Sequence, residues 1–335
     1  MNLLVTGGCG FIGTNFIKSA LDKTSHKILN IDKISYAAGK DNLKDYKNNP
    51  NYTFFQADIC DEPLIKKIIF GFEPDYIINF AAESHVDNSI KSSKQFMFSN
   101  FIGTFNLLET SRKYFESSNS TKQKNFKFHQ ISTDEVYGDL DKELFHEGSR
   151  FKPSSPYSAS KAGADHLVNA WHRTYKLPTI ITNCSNNFGP YQYPEKLIPV
   201  VIINAIQENK IPVYGNGMQI RDWIYVQDHV DALLQCLSMA NEGHTYNIGS
   251  SNQINNLDLI KLICEYLDRK YPRQSAESYF NLVEFVKDRP GHDQEYGINN
   301  KKAIEQLSWT PKINLENGIK MTIDWYLENK FWWQT

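Results

Sequence analysis

Leu3-Leu4-Val5-Thr6-Gly7-Gly8-Cys9-Gly10-Phe11-Ile12-Gly13 runs from a short apolar strand, through a glycine-rich turn, into a helical pattern that lasts to about residue 21. The spacing Gly8-x-Gly10-x-x-Gly13 between a strand and a helix is the layout of a dinucleotide-binding turn. Glycine lets the turn tighten, lets the backbone approach a pyrophosphate and lets the helix pack on the sheet. The helix N-terminus then faces the diphosphate charge. An ordinary tight turn also uses glycines, so the next strand matters. Residues 27–31 (Lys-Ile-Leu-Asn-Ile) read as that strand, and Asp32 closes it 19 residues after Gly13. A carboxylate there accepts hydrogen bonds from the adenosine ribose hydroxyls and repels a 2′-phosphate, so NAD is expected over NADP. Lys33 alone argues the other way, because a cation accommodates that phosphate.

Working outward, residues 52–56, 76–80 and 126–132 read as further strands. Helical spacing covers 63–70 and 94–115, and the polar excursion at 36–51 reads as loop. Strands alternating with helices imply right-handed crossovers and a parallel sheet. The pattern changes from about residue 186, where Gly189-Pro190-Tyr191-Gln192-Tyr193-Pro194 gathers prolines and aromatics. Residues 228–240 then read as a capped helix, and 245–248 as a strand returning to the first sheet. The expected fold class is α/β: a Rossmann-type doubly wound parallel sheet with a smaller, interleaved C-terminal substrate-binding lobe. Residues 1–185 form the first domain, with 225–250 returning to it. Residues 186–224 and 251–335 form the lobe.

Composition excludes several classes. In 335 residues, 36 basic and 38 acidic side chains leave a net charge of −2, with no basic stripe for nucleic acid. The small cluster Lys122, Lys124 and Lys127 reads as a solvated loop. Hydrophobic residues make up 41%, enough for a sizeable core. The longest apolar stretch, 197–206, is interrupted by Pro199 and Asn204 and is too short for a membrane span. The first 20 residues lack a basic start and a cleavage pattern, so no export signal is expected. Five widely spaced cysteines (Cys9, Cys60, Cys184, Cys236, Cys264) and nine histidines show no metal-ligand spacing. Reduced, mostly buried thiols in a cytoplasmic protein are expected, and no metal.

Two motifs carry chemistry. Ser154-Ser155-Pro156 is a helix start, and Tyr157 and Lys161 follow at i and i+4 on one helical face. A lysine ammonium beside a phenol lowers the cost of the tyrosinate, so Tyr157 can take a proton from a hydroxyl. A surface Tyr-x-x-x-Lys pair is common. Behind a nucleotide fingerprint in the right order it points to a short-chain dehydrogenase/reductase. Thr133-Asp134-Glu135 ends the fifth strand, where open α/β sheets place their ligands. Two adjacent carboxyls resist double ionisation and so favour one acid and one base; the alternative is helix capping by Asp134 with Glu135 in solvent. Asp58 closes the third strand, as an adenine-side contact or as a helix N-cap for 61–70.

With Thr6–Gly13, these residues resemble the nucleoside-diphosphate-glucose 4,6-dehydratases, which are extended short-chain dehydrogenases/reductases. The resemblance rests also on Ala81-Ala82-Glu83-Ser84-His85-Val86-Asp87, Ile131-Ser132-Thr133-Asp134-Glu135-Val136-Tyr137-Gly138 and Ser154-Ser155-Pro156-Tyr157-Ser158-Ala159-Ser160-Lys161. Asn183-Cys184-Ser185-Asn186-Asn187-Phe188-Gly189-Pro190, Pro194-Glu195-Lys196-Leu197-Ile198-Pro199, Arg221-Asp222-Trp223 and Asp288-Arg289-Pro290-Gly291-His292 extend it over nearly the whole chain.

The resemblance implies dehydration of dTDP-glucose, with UDP-glucose as the alternative, and a tightly held NAD regenerated at each turnover. Tyr157, held by Lys161, takes the 4-hydroxyl proton; Glu135 is the base at C5; Asp134 protonates the departing 6-hydroxyl; Thr133 bonds the sugar near O4. The implied NAD side comprises Gly7, Gly10, Phe11, Ile12, Gly13, Asp32, Lys33, Ser35, Asp58, Ile59, Ala81, Ala82, Ser99, Tyr157, Lys161 and Asn187. Ser99 stands where the family usually carries threonine and keeps the hydroxyl. The implied substrate side comprises Ser84, Thr133, Asn186, Lys196, Leu197, Pro212, Val213, Tyr214, Arg221, Asn256, Arg289 and His292. Lys196, Arg221 and Arg289 suit a diphosphate; solvated surface positions, or an Arg221–Asp222 ion pair, are the plain alternatives. Trp332 and Trp333 are read as packing residues. A homodimer through the helices at about 94–115 and 157–174 is implied as well. Sugar-nucleotide 4-epimerases share the glycines and Tyr-x-x-x-Lys but lack the Asp-Glu pair. A UDP-glucuronate decarboxylase replaces Asp134, having no hydroxyl to expel. A non-catalytic NAD sensor tolerates loss of Tyr157 or Lys161, and both are present.

Overall fold

Alternation along the first strand builds the two faces of the central sheet. In the computed structural model, which describes residues 1–140 and 142–334, the strands in chain order are β1 (Asn2–Thr6), β2 (Lys27–Asp32), β3 (Tyr52–Gln56), β4 (Tyr76–Asn79), β5 (Lys127–Thr133), β6 (Thr179–Cys184), β7 (Asn186–Phe188), β8 (Ile211–Tyr214), β9 (Ile220–Tyr225), β10 (His244–Ile248), β11 (Gln253–Asn255) and β12 (Val283–Val286). Leu3 and Val5 of β1 enter one apolar cluster with Phe16 and Ile17 of helix α1 (Phe11–Lys23). Leu4, pointing the other way, joins Ile65 and Ile69 of helix α2 (Glu62–Phe72) together with Leu107 and Leu108. Strands covered on both faces read as continuous apolar runs; every residue of β4 and of β6 is buried.

The central sheet has seven strands in the order β10-β6-β5-β4-β1-β2-β3, and every pairing in it is parallel. This is the doubly wound sheet expected from strand–helix alternation. The strand order reverses around β1, which lies between β2 and β4. That switch opens a crevice at the carboxyl ends of the strands.

The second lobe has its own core. Phe188, Trp223, Ile260, Ile263, Ile323 and Tyr326 belong to one buried cluster, beneath helices Leu197–Ile206, Asn256–Lys270 and Leu315–Glu328. There β9 lies between β7, parallel, and β11, antiparallel, and β8 pairs with β12. Between these segments the chain returns to the first core. Helix Val226–Met239 contributes Val230, Leu233 and Cys236 to the α1 side of the sheet, and β10 extends it beside β6.

Local structure departs from the sequence expectations at four places. The excursion at 36–51 contains a 3-10 turn, Lys40–Tyr46, with Asn42 and Leu43 buried; a long-range hydrogen bond from Trp332 Nε1 to Asn42 Oδ1 (2.7 Å) fixes it. The helical run at 94–115 is broken by a π turn, Met97–Ile102. Residues Ser120–Asn125 form a short helix capped by Asn119, and Lys122 pairs with Asp75 at 2.8 Å instead of being free in solvent. Asp228 caps nothing: the helix starts at Val226 without a side-chain cap. The buried Asp228 carboxylate instead accepts the Ile313 N–H at 2.8 Å. Among the described residues, no helix is long and apolar enough to cross a membrane.

Candidate active site

The glycine turn sets the first wall. Gly7 has φ +71°, and a Cβ there would lie 2.5 Å from the Ala81 nitrogen, so only glycine fits between β1 and the residues after β4. Gly8 and Gly13 are closed in the same way: a Cβ would meet the Asn30 side chain at 2.2 Å and the Gly7 carbonyl at 2.4 Å. Helix α1 then begins with no side-chain cap, leaving its first amides for a ligand. At the end of β2 the Asp32 carboxylate accepts the Cys9 N–H at 2.9 Å and the Ile34 N–H at 2.8 Å. Lys33 does not reach outward for a 2′-phosphate. Its ammonium pairs with the buried Glu83 at 2.7 Å and donates to Ser99 Oγ at 2.9 Å. Asp58 is not the cap of α2, since Asp61 fills that place. Its carboxylate accepts the Cys60 N–H at 2.9 Å and it lines the crevice with Ile59. An uncapped helix start, glycines where a Cβ has no room and a carboxylate at the next strand end fit NAD.

Helix Pro156–Tyr175 supplies the second wall. Ser155 caps it in a capping box with Ser158, and Pro156 is its first residue. That start fixes the register in which Tyr157 and Lys161 meet the end of β5. Both are buried, 8% and 4% exposed. Lys161 Nζ donates to the Ile131 carbonyl at 2.7 Å. The expected easing of the tyrosinate by lysine is not the dominant effect. Burial, then the Glu135 charge, pushes the Tyr157 phenol well above its ordinary range, and burial pulls Lys161 below its own.

Thr133 closes β5 and caps the single 3-10 turn Asp134–Val136, its hydroxyl accepting the Glu135 N–H at 3.3 Å. The capping alternative for Asp134 therefore fails. Its carboxyl is 2% exposed, and its Oδ2 has no hydrogen-bond partner. Burial, Glu135 and Asp222 push Asp134 well above the usual carboxylate range. Burial also raises Glu135, but Lys196, Arg289 and Arg221 oppose the rise. The two neighbouring carboxyls thus differ in balance: Glu135 and Asp222 outweigh Arg221 at Asp134, and three cations outweigh Asp293 at Glu135.

The second lobe brings the cations. Lys196, immediately before helix Leu197–Ile206, donates to the Ser84 carbonyl at 2.6 Å. Arg221 on β9 forms no ion pair with Asp222. Its guanidinium donates to the carbonyls of Ile220 (2.7 Å) and Asp293 (2.8 Å) and lies 4.2 Å from the Tyr296 ring centre. Asp222 instead accepts the Asn252 N–H at 2.8 Å and the Ser250 hydroxyl at 3.0 Å. Arg289 lies 3.6 Å from Asp87, and its buried Nε is unpartnered. His292 is bonded to Asp288 at 2.7 Å.

The residues expected at the site meet on one cavity of about 690 Å3. Gly7, Gly10, Phe11, Ile12, Gly13, Asp32, Lys33, Ser35, Asp58, Ile59, Ala81, Ala82, Ser99 and Asn187 line it on the sheet side. Ser84, Asn186, Lys196, Leu197, Pro212, Val213, Tyr214, Arg221, Asn256, Arg289 and His292 line it toward the second lobe. Thr133, Asp134, Glu135, Tyr157 and Lys161 also line it. No residue expected at the site lies elsewhere. The sequence reading missed Glu83, which holds Lys33, and Tyr296, which carries Arg221. Glu83 stood within a quoted motif, but Tyr296 has no local signal, being far from Arg221 in the chain. Among the described residues, no His, Cys, Asp or Glu group forms a metal site.

A family model described as GDP-mannose 4,6 dehydratase matches residues 4–322. The dTDP-glucose 4,6-dehydratase of Neisseria meningitidis is 48% identical over 336 residues, which cover 99% of this chain and 95% of that protein. Two solved structures cover 100% of this chain, and the match covers 99% of each. The dTDP-glucose 4,6-dehydratase of Bacillus anthracis, in complex with NAD, is 40% identical with a TM-score of 0.87. That of Streptomyces venezuelae, also with NAD bound, is 36% identical with a TM-score of 0.91.

Proposed function

This chain belongs to the nucleotide-sugar 4,6-dehydratases, the family whose model matches residues 4–322, and from that premise we propose that it converts dTDP-glucose to dTDP-4-keto-6-deoxyglucose with loss of water. It is a hydro-lyase. The observation that carries the reading is the unequal pair at the end of β5. At the buried Asp134 the carboxylates of Glu135 and Asp222 outweigh Arg221, and at Glu135 the cations Lys196, Arg289 and Arg221 outweigh Asp293. Eliminating water needs one group that donates a proton and one that removes it. Asp134, kept protonated, suits the 6-hydroxyl that leaves; Glu135 suits the proton on C5.

The other roles follow from position. NAD, when bound, supplies a hydride acceptor at C4 and a donor at C6. The glycine turn, the start of α1 and Asp32 hold it. Tyr157 takes the 4-hydroxyl proton, Lys161 lies one helical turn along the same face, and the Thr133 hydroxyl orients the sugar near O4. The 4-ketone then acidifies C5. Lys196, Arg221 and Arg289 bind the diphosphate, and their charge also favours the ionised form of Glu135.

Two further parts of the reading concern the whole chain. The exposed Phe98, Ile102 and Phe105, with Tyr175, support a homodimer through the helical runs at 94–115 and 157–174. Sedimentation tests it, and a monomer rejects it. Five unpaired cysteines support a reducing, cytoplasmic setting. The reading divides the lobes at 1–185 plus 225–250 and at 186–224 plus 251–335, although Ala303, Leu307 and Trp309 pack in the first core.

The functional test is direct. Purified protein receives dTDP-glucose or UDP-glucose without added NAD, and loss of one water is followed by mass spectrometry. Turnover with dTDP-glucose is expected. Faster turnover with UDP-glucose moves the base preference, and turnover with neither, even after NAD is added, defeats the assignment.

A further inference from the structure

The helix that carries Tyr157 and Lys161 carries a third polar residue on the same face. Asp165 follows Lys161 by four residues, so the three side chains stand in one row, about 6 Å apart along the axis. Asp165 is 0% exposed. Its Oδ2 accepts the Ser132 hydroxyl at 2.6 Å and the Asn183 amide at 3.4 Å, and its Oδ1 has no partner. Those two donors matter by location. Ser132 directly precedes Thr133-Asp134-Glu135, and the same Asn183 amide donates to the Thr133 carbonyl at 3.0 Å. Lys161 is fastened to the same strand, through the Ile131 carbonyl at 2.7 Å. Lys161 and Asp165 thus hold Ile131 and Ser132, and Asn183, bonded to Asp165, holds Thr133, where the reacting groups begin.

A buried carboxylate with a free lone pair is expensive unless a cation balances it. The titratable groups facing Asp165 are Lys161 on its own helix and the Tyr137 phenol beyond the end of β5. Lys161 faces Asp165 and the Cys184 thiol of β6, and that thiol is pushed up to about 12 by burial. Among the described residues, Lys161 is the cation that acts on Asp165, and Asp165 is the carboxyl that acts on Lys161.

We propose that Asp165 is a positioning residue of the active site: its buried carboxylate, one helical turn beyond Lys161, bonds Ser132 and Asn183 and so holds the end of β5 against the Tyr157–Lys161 face of the helix. It does not line the cavity. The proposal rests on the dehydratase reading, whose own failure shows separately, as absence of turnover in the wild-type protein. The signs follow from the charges. Burial already holds Lys161 below its ordinary value and Asp165 opposes that. Removing the anion makes the lysine lose its proton at lower pH. Burial raises Asp165 to about 6, and the Ser132 bond opposes the rise. Losing that bond makes the carboxylate take up a proton at higher pH.

The test is Asp165→Asn, assayed for dTDP-glucose turnover from pH 5 to 10. Expected are unchanged NAD content, KM within about twofold, kcat lower by at least about tenfold, and an alkaline limb shifted about one pH unit or more toward acid. In a Lys161→Met background the same substitution should cost nothing further. Ser132→Ala, which keeps the charge, should move the acid limb upward and leave the alkaline limb in place. This second variant decides the matter if Asp165→Asn does not fold. A pH profile that overlies the wild type, or a loss that adds fully to that of Lys161→Met, overturns the proposal.

Discussion

Asp134 and Glu135 are the same chemical group one position apart, and the fold separates them. A strand end followed by a single 3-10 turn leaves carboxylates as the stronger neighbours of Asp134 and cations as the stronger neighbours of Glu135. The raised Asp134 has a consequence for stability. A carboxyl that binds its proton more tightly in the fold than in the unfolded chain contributes fully below its ordinary value, and that contribution is lost as pH rises through the folded value. Its contribution is therefore smaller at neutral pH than at acid pH. Asp134→Asn is expected to raise the melting temperature at pH 7 more than at pH 4, while turnover falls about 10²–10⁴-fold. Expulsion of water should slow more than oxidation at C4, so absorbance at 340 nm should build up in rapid mixing. Equal slowing of both steps contradicts the role of Asp134. The motif residues were legible because each stood at a strand end or on a helix start. Asp165 was not, because a lone aspartate within a helix looks like surface until the 157-161-165 periodicity is joined to Ser132.

Among the elements, the run from β1 to α1 is the most tightly dictated. Gly7 at φ +71°, with the Ala81 backbone 2.5 Å from where a Cβ would be, accepts no side chain. Gly7→Ala is expected to destabilise the protein by about 1–3 kcal/mol and to lower the NAD that copurifies. Gly71, near the end of α2, has nothing within 4 Å of a Cβ, so Gly71→Ala should be neutral or stabilising by up to about 1 kcal/mol. Chemical denaturation and the 260/280 nm ratio of the purified proteins check both. Similar effects at the two glycines contradict the steric account. Elements made by periodicity were readable from the sequence. The π turn at 97–102 was not, because nothing in the local pattern of Met97–Ile102 distinguishes it from the helix around it. Asp228 read as a cap because an aspartate at a helix start usually is one, but its partner, Ile313, lies 85 residues on.

Across the whole molecule, the cavity lies between a sheet built from near neighbours in the chain and a lobe built from distant ones. The first is legible from strand–helix alternation. The second has strands of only three residues, β7 and β11, and pairs β9 with partners on either side of it in sequence, so no local pattern announces it. Yet that lobe delivers Lys196, Arg221 and Arg289 to Glu135, and Trp332 near the C-terminus bonds back to Asn42 beside the dinucleotide turn. The lobes close on one space, which suits chemistry that must keep its electrons between two half-reactions. The most direct measurement starts from dTDP-glucose carrying deuterium at C4 and locates the label in the product. The account predicts deuterium in the new C6 methyl group. Deuterium that stays at C4, or is lost to water, contradicts it.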